Sequence, residues 1–134
     1  MYIIANIAGG LGNQMFQYAA AYALAQNKNF KLMLDISDFT KINNRVFQLK
    51  YCFDITNNIA TNKEVKSILG MRRFFLIRRI LKKINKTSPN LLIEEPYIFN
   101  ERFLEVENSI YLQGYWQNYN YFLFYKKKLQ NIFK

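Results

Sequence analysis

Near the start of the chain, Gly9, Gly10 and Gly12 follow an apolar run, are joined by Asn13 and Gln14, and lead into the Ala-rich stretch "AAAYALA". Glycines between a strand and a helix let backbone N–H groups approach a phosphate without obstruction, and the helix start adds partial positive charge. Anion binding is the chemistry on offer. The triphosphate-binding loop requires a Lys-Ser or Lys-Thr pair after the glycines, and none follows Gly12. The dinucleotide fingerprint is met by Gly10 and Gly12, and by Asp35 near the expected ~20 residues further on. Met15, however, stands where a third small residue would allow close helix packing.

Two further groups could act on a ligand. Asp35 falls at the expected end of a strand, where ligands of open α/β sheets gather, so its carboxylate could act as a base, hold a hydroxyl or cap the following turn. Tyr115, Trp116 and Gln117 combine aromatic faces that stack on pyranose rings with an amide that bonds hydroxyls; core packing is the competing use of at least one ring. The chain has no histidine, which removes the commonest general base, the Ser-His and Cys-His pairs and the commonest zinc ligand. Its one cysteine, Cys52, forms no disulfide within the chain and is expected as a small core residue in a reducing setting.

The elements that must position these residues follow from periodicity. Tyr2–Ala8 reads as a short apolar strand of a parallel sheet. A helix is expected from Asn13, with Asn13 as its N-cap and Met15, Phe16, Ala19, Ala20, Tyr22 and Ala23 on one side. "NFKLMLD" gives a second strand ending at Asp35, completing a βαβ unit. "RVFQLKYCFDI" reads as a strand or a packed loop, and "TNNIATNKE" supplies turn and capping residues before another helix. From Arg72 to Lys86 an apolar arc opposes a basic one. "LLIEEPYIF" is a short strand stopped by Pro96, "SIYLQGYW" a buried strand, and the final stretch is helical in pattern. With 134 residues, 51% of them hydrophobic, and no repeat or linker, one α/β domain is expected. The net charge of +10 favours anionic partners without choosing among them. "MYIIANIAGG" does not read as a secretory leader or a spanning helix.

The run "GGLGNQMFQYAAAYALA" resembles the N-terminal signature of the bacterial alpha-1,2-fucosyltransferases, glycosyltransferase family 11. "LMLDISDF", "RVFQLKYCFDI" and "YLQGYWQNYNYF" match further blocks of that family in the same order. The resemblance implies a Rossmann-like parallel-sheet N-terminal domain of a GT-B glycosyltransferase over residues 1–134. It implies transfer of L-fucose from GDP-fucose to the 2-hydroxyl of a terminal galactose, with inversion, no cofactor and no essential metal. In related enzymes the glycine turn faces the donor, which makes Gly10, Leu11, Gly12, Asn13 and Gln14 donor-binding candidates. Tyr115, Trp116 and Gln117 are acceptor-binding candidates, and Asp35 is the candidate catalytic residue. The family's His-x-Arg-Arg-x-Asp donor motif has no counterpart in a chain without histidine. The expectation is therefore an incomplete, inactive portion lacking the C-terminal GDP-fucose-binding domain. A lipid-linked galactose-terminated glycan would place the protein in the cytoplasm at the inner face of the membrane, with the basic face of Arg72–Lys86 on anionic lipid. The alternatives are a standalone dinucleotide-binding Rossmann module and, behind it, a basic membrane or nucleic-acid adaptor, the latter without a supporting nucleic-acid motif.

Overall fold

A computed structural model describes residues 1–40, 45–55, 58–73 and 89–134. Five parallel strands, β1 (Tyr2–Asn6), β2 (Lys31–Asp35), β3 (Asn58–Ile59), β4 (Leu91–Ile93) and β5 (Ile110–Gln113), form one sheet in the order β3-β2-β1-β5-β4. The first three strands run outward from the centre to one edge. The chain then starts again at the opposite edge with β4 and returns inward to β5. Helices cover both faces of this parallel sheet, as in the Rossmann-like class, but the steps from β1 through β3 and from β4 to β5 run in the same direction across it. The order on the β5 side differs from the 3-2-1-4-5-6 arrangement, because the later strand lies inside the earlier one.

Side chains alternate between the two faces as the pleat requires. Ile3, Ala5 and Ile7 join Leu32, Leu34, Ile110 and Leu112 under helix α1 (Leu11–Lys28), while Ile4, Met33 and Tyr111 meet Val65, Ile68 and Leu69 of helix α3 (Asn62–Leu69) on the other face. Both faces are covered, which is why the strands read as continuous apolar runs. Buried Ala19, Ala20, Ala21, Ala23 and Ala25 let α1 lie close to the sheet. A capping box starts α3: Thr61 Oγ1 accepts from the Glu64 amide, and Glu64 Oε2 accepts from the Thr61 amide at 2.7 Å. Those bonds to Thr61 lower the Glu64 carboxyl below its ordinary value.

Several sequence expectations change. Gly10, not Asn13, is the N-cap of α1, so Asn13 lies within the first turn. "RVFQLKYCFDI" forms neither a strand nor only a loop but carries the short helix α2 (Leu49–Phe53). Leu49 is the buried residue of this helix, and Cys52 is exposed rather than in the core. The C-terminal stretch begins with 3-10 turns at Tyr119–Tyr121 and Leu123–Tyr125 and becomes a helix, α4, only over Lys126–Ile132. Of the expected basic helix, Arg72 and Arg73 end a 3-10 turn (Gly70–Arg73), and the remainder lies outside the described residues. Among the described residues no helix is long and apolar enough to cross a membrane.

Candidate functional site

In open parallel sheets ligands gather outside the carboxyl ends of the strands, beside the loops that leave two neighbouring strands. Here those loops are residues 7–10 after β1 and 114–118 after β5. They bring the separate candidate sets together. Gln117 Nε2 donates to Asn13 Oδ1 at 2.9 Å, across 104 residues of sequence. Gly9 has φ +78°, and a Cβ there would stand 2.9 Å from Asn13 Nδ2 and 3.4 Å from Tyr115 Cε1. The turn passes so close to both side chains that only glycine fits without displacement.

The N-terminus of α1 opens at the same place. Gly10 offers no side-chain cap and the first turn holds no acidic residue, so the N–H groups of Leu11, Gly12 and Asn13 and the positive end of the helix dipole are not offset locally. Exposed Arg45 adds a full positive charge: its Nη1 lies 3.4 Å from the position of a Cβ on Gly10. Sequence reasoning placed Arg45 in a matching block but gave it no role. Its spacing from Gly10 is set by the path of residues 45–48, which no local pattern specifies.

Other candidates are held inside. Gln14 is fully buried; its Nε2 donates to the carbonyls of Gly9 and Val46 at 2.9 Å each, and its Oε1 accepts from the Gln48 amide at 2.9 Å. Gln17, one helical turn on and also buried, accepts from the Ala8 amide at 2.9 Å and donates to the Gly114 carbonyl at 3.0 Å. These two amides tie the loops after β1 and β5 and the segment 46–48 to a single helix. Gln17 was missed because a polar residue in an Ala-rich helix gives no sign of whether it faces solvent or two backbone groups.

The loop after β5 has a second fastening. The Glu94 carboxylate, just beyond β4, accepts from the consecutive amides of Tyr115 (2.6 Å), Trp116 and Gln117 (3.1 Å). Trp116 takes φ +58° and is buried against Phe103 and Tyr121, with ring centroids 5.5 and 5.1 Å away. Its ring serves the core, as the packing reading anticipated, whereas Tyr115 and Gln117 are exposed. Burial raises the Tyr121 phenol above its ordinary value, the Asn100 amide works against this, and the Glu94 charge adds to it.

Asp35 joins the loop after β1 through its backbone, its carbonyl accepting from the Ile7 amide at 2.9 Å. It is buried, its Oδ2 accepts from the Tyr111 hydroxyl at 2.7 Å, and its Oδ1 accepts from the Ser37 amide at 3.0 Å, so it caps the turn after β2. Among the described residues no group of His, Cys, Asp and Glu is arranged to hold a metal ion.

The architecture defines a class: a Rossmann-like parallel α/β domain in which a glycine turn, a helix N-terminus, an arginine and the paired amides of Asn13 and Gln117 meet at the carboxyl ends of β1 and β5. Comparison with known proteins finds similarity to glycosyltransferases. The chain is 33% identical to an alpha-1,2-colitosyltransferase of Escherichia coli over 98% of its own length and 44% of that protein's. It is 33% identical to the O-antigen biosynthesis glycosyltransferase WbnK of Escherichia coli over 80% of its length and 37% of that protein's. The chain thus spans less than half the length of these curated relatives. No protein-family model matches it, and no solved structure matches it.

Proposed function

We propose that this domain forms one wall of the donor and acceptor cleft of an alpha-1,2-fucosyltransferase. That enzyme transfers L-fucose from GDP-fucose to the 2-hydroxyl of a terminal galactose in the GT-B manner, with inversion and without a metal. The observation that carries the reading is the meeting of Gly9, Gly10, Asn13 and Gln117 beside Arg45 at the carboxyl ends of β1 and β5. An inverting transfer needs positive groups where the diphosphate departs and hydroxyl-bonding groups where the sugars sit. The α1 N-terminus and Arg45 offer the first, and the Asn13 and Gln117 amides the second. The alpha-1,2 linkage in the name of the colitosyltransferase supports the regiochemistry. Colitose is 3-deoxy-L-fucose, so the choice between the two donors rests on a single hydroxyl.

The second wall belongs to a further domain, for which the relatives' greater length leaves room. An apolar groove of about 440 Å³ beside α4, lined by Met15, Phe16, Phe122, Leu129 and Phe133, and the exposed Leu123 and Phe124 next to it, support a face made for covering. The dinucleotide alternative is weakened by Asp35, whose carboxylate is buried and committed to Tyr111 and Ser37 rather than turned toward a ribose. A lipid-linked acceptor at the inner membrane face remains part of the proposal, through the basic residues that follow Arg72.

The test is an amide NMR titration of the chain with GDP-fucose, GDP-colitose and NAD. Saturable shifts at Gly9, Gly10, Gly12, Asn13 and Gln117 with GDP-fucose are expected. Stronger shifts with NAD would replace this reading with the dinucleotide module, and stronger shifts with GDP-colitose would change the donor.

A further inference from the structure

Three consecutive backbone N–H groups converging on one point form a concave anion site, and such a nest requires a left-handed residue within it. The loop after β5 is such a nest, with Trp116 as the left-handed residue, and a carboxylate of the chain itself fills it. A bulky residue adopts this backbone only when its surroundings impose it, since its Cβ crowds the following carbonyl oxygen in the left-handed region. The surroundings are specific. Glu94 continues the β4 to β5 pairing, its amide donating to the Gln113 carbonyl at 2.9 Å, so its carboxylate is delivered from a rigid sheet edge.

Gly114 makes the approach possible. It has φ +148°, and a Cβ there would overlap Glu94 Cβ and stand 2.8 Å from Glu94 Oε2. From the opposite side Gln17 holds the Gly114 carbonyl. The peptide planes at 114–117 are therefore fixed by two side chains on different elements, and Gln117 leaves the end of this stretch with its amide reaching Asn13.

We propose that Glu94 is a positioning residue of the site at the glycine turn: by filling the nest of Tyr115, Trp116 and Gln117 amides, it sets the direction in which Gln117 presents its amide beside Asn13. The inference rests on the site reading above but adds a residue outside every matched block, which touches no ligand itself. A neutral amide at position 94 cannot do the same work, because its NH2 group would face an N–H donor where the carboxylate offers a second oxygen. Charge-assisted bonds are about twice as strong as neutral ones, so loss of the charge loosens all three contacts at once.

The experiment compares the unsubstituted chain with Glu94→Gln and Glu94→Asp by amide NMR, first alone and then with GDP-fucose. In Glu94→Gln the amide protons of Tyr115, Trp116 and Gln117 move upfield together, the Gln117 side-chain amide loses its contact with Asn13, and GDP-fucose binds about tenfold more weakly at an unchanged fold. Glu94→Asp retains the charge and recovers part of both signals; it also carries the test where Glu94→Gln fails to fold. Unmoved amides at 115–117, or moved amides with unchanged GDP-fucose affinity, overturn the positioning role. If the unsubstituted chain shows no shift with GDP-fucose, the proposed function fails, while the amide shifts and the Asn13 contact still decide whether Glu94 sets the loop.

Discussion

Replacing Gln17 by Glu changes one atom in size and shape but reverses one hydrogen bond. The neighbours leave no doubt about the native orientation: Ala8 N–H needs an acceptor and the Gly114 carbonyl needs a donor, and Gln17 serves both from a site that is 1% exposed. A carboxylate satisfies Ala8 but points an anionic oxygen at the Gly114 carbonyl. A protonated carboxyl satisfies both. The folded Gln17→Glu protein should therefore hold a proton that the unfolded chain releases with an ordinary value of about 4.3. Keeping that proton at pH 7 costs about 3.7 kcal/mol, and at pH 5 about 1 kcal/mol. Because the folded state binds the additional proton, its carboxyl value is raised. Stability is then complete below the unfolded value and lost as pH rises toward the folded one. The cost is a large share of a typical domain stability of about 5–15 kcal/mol. Urea unfolding followed by circular dichroism at pH 5 and 7 should show the deficit of the variant widening by about 2.7 kcal/mol. A deficit that stays constant with pH would refute the two-sided role assigned to Gln17.

Three further outcomes follow from the same geometry. Trp116→Ala should cost about 3–5 kcal/mol by emptying the space between Phe103 and Tyr121, read by urea unfolding, and in the parent chain the single tryptophan should report unfolding of this loop by fluorescence. Gly9→Ala should cost about 1–3 kcal/mol, since its φ is +78° and the new Cβ meets Asn13; the same variant should lose the Asn13–Gln117 contact in NMR spectra. Burial, with Tyr22 adding, pushes the Tyr18 phenol up to about 12, so the folded state keeps a proton that the unfolded chain loses near pH 10. The melting temperature should then fall as pH rises from 10 toward 12, and Tyr18→Phe should flatten that fall.

What the sequence determined by itself were the features that repeat over short distances. Strands β1, β2, β4 and β5 and the Ala-rich helix after the glycine turn depend on neighbours within a few residues, and each falls in the stretch where the pattern placed it, whereas β3 and the Thr61 cap were not singled out. Short-range rules failed where the chain was ambiguous over one turn, as at Leu49–Phe53, where an apolar run suited strand and helix alike. The turn after β1 was recognisable because its glycines answer to local backbone geometry. Tertiary structure alone decided which amides meet at the glycine turn and which serve the core. Gln14 and Gln117 look equivalent in sequence, yet one is sealed among backbone groups and the other is exposed beside Asn13. The bonds that fix the loop after β5 join residues 97 apart from Gln17 to Gly114 and 22 apart from Glu94 to Trp116, and such pairings exist only after the sheet has set β5 between β1 and β4. A buried polar group must find its partner wherever packing brings one, so its role is fixed by the fold and not by its neighbours in the chain.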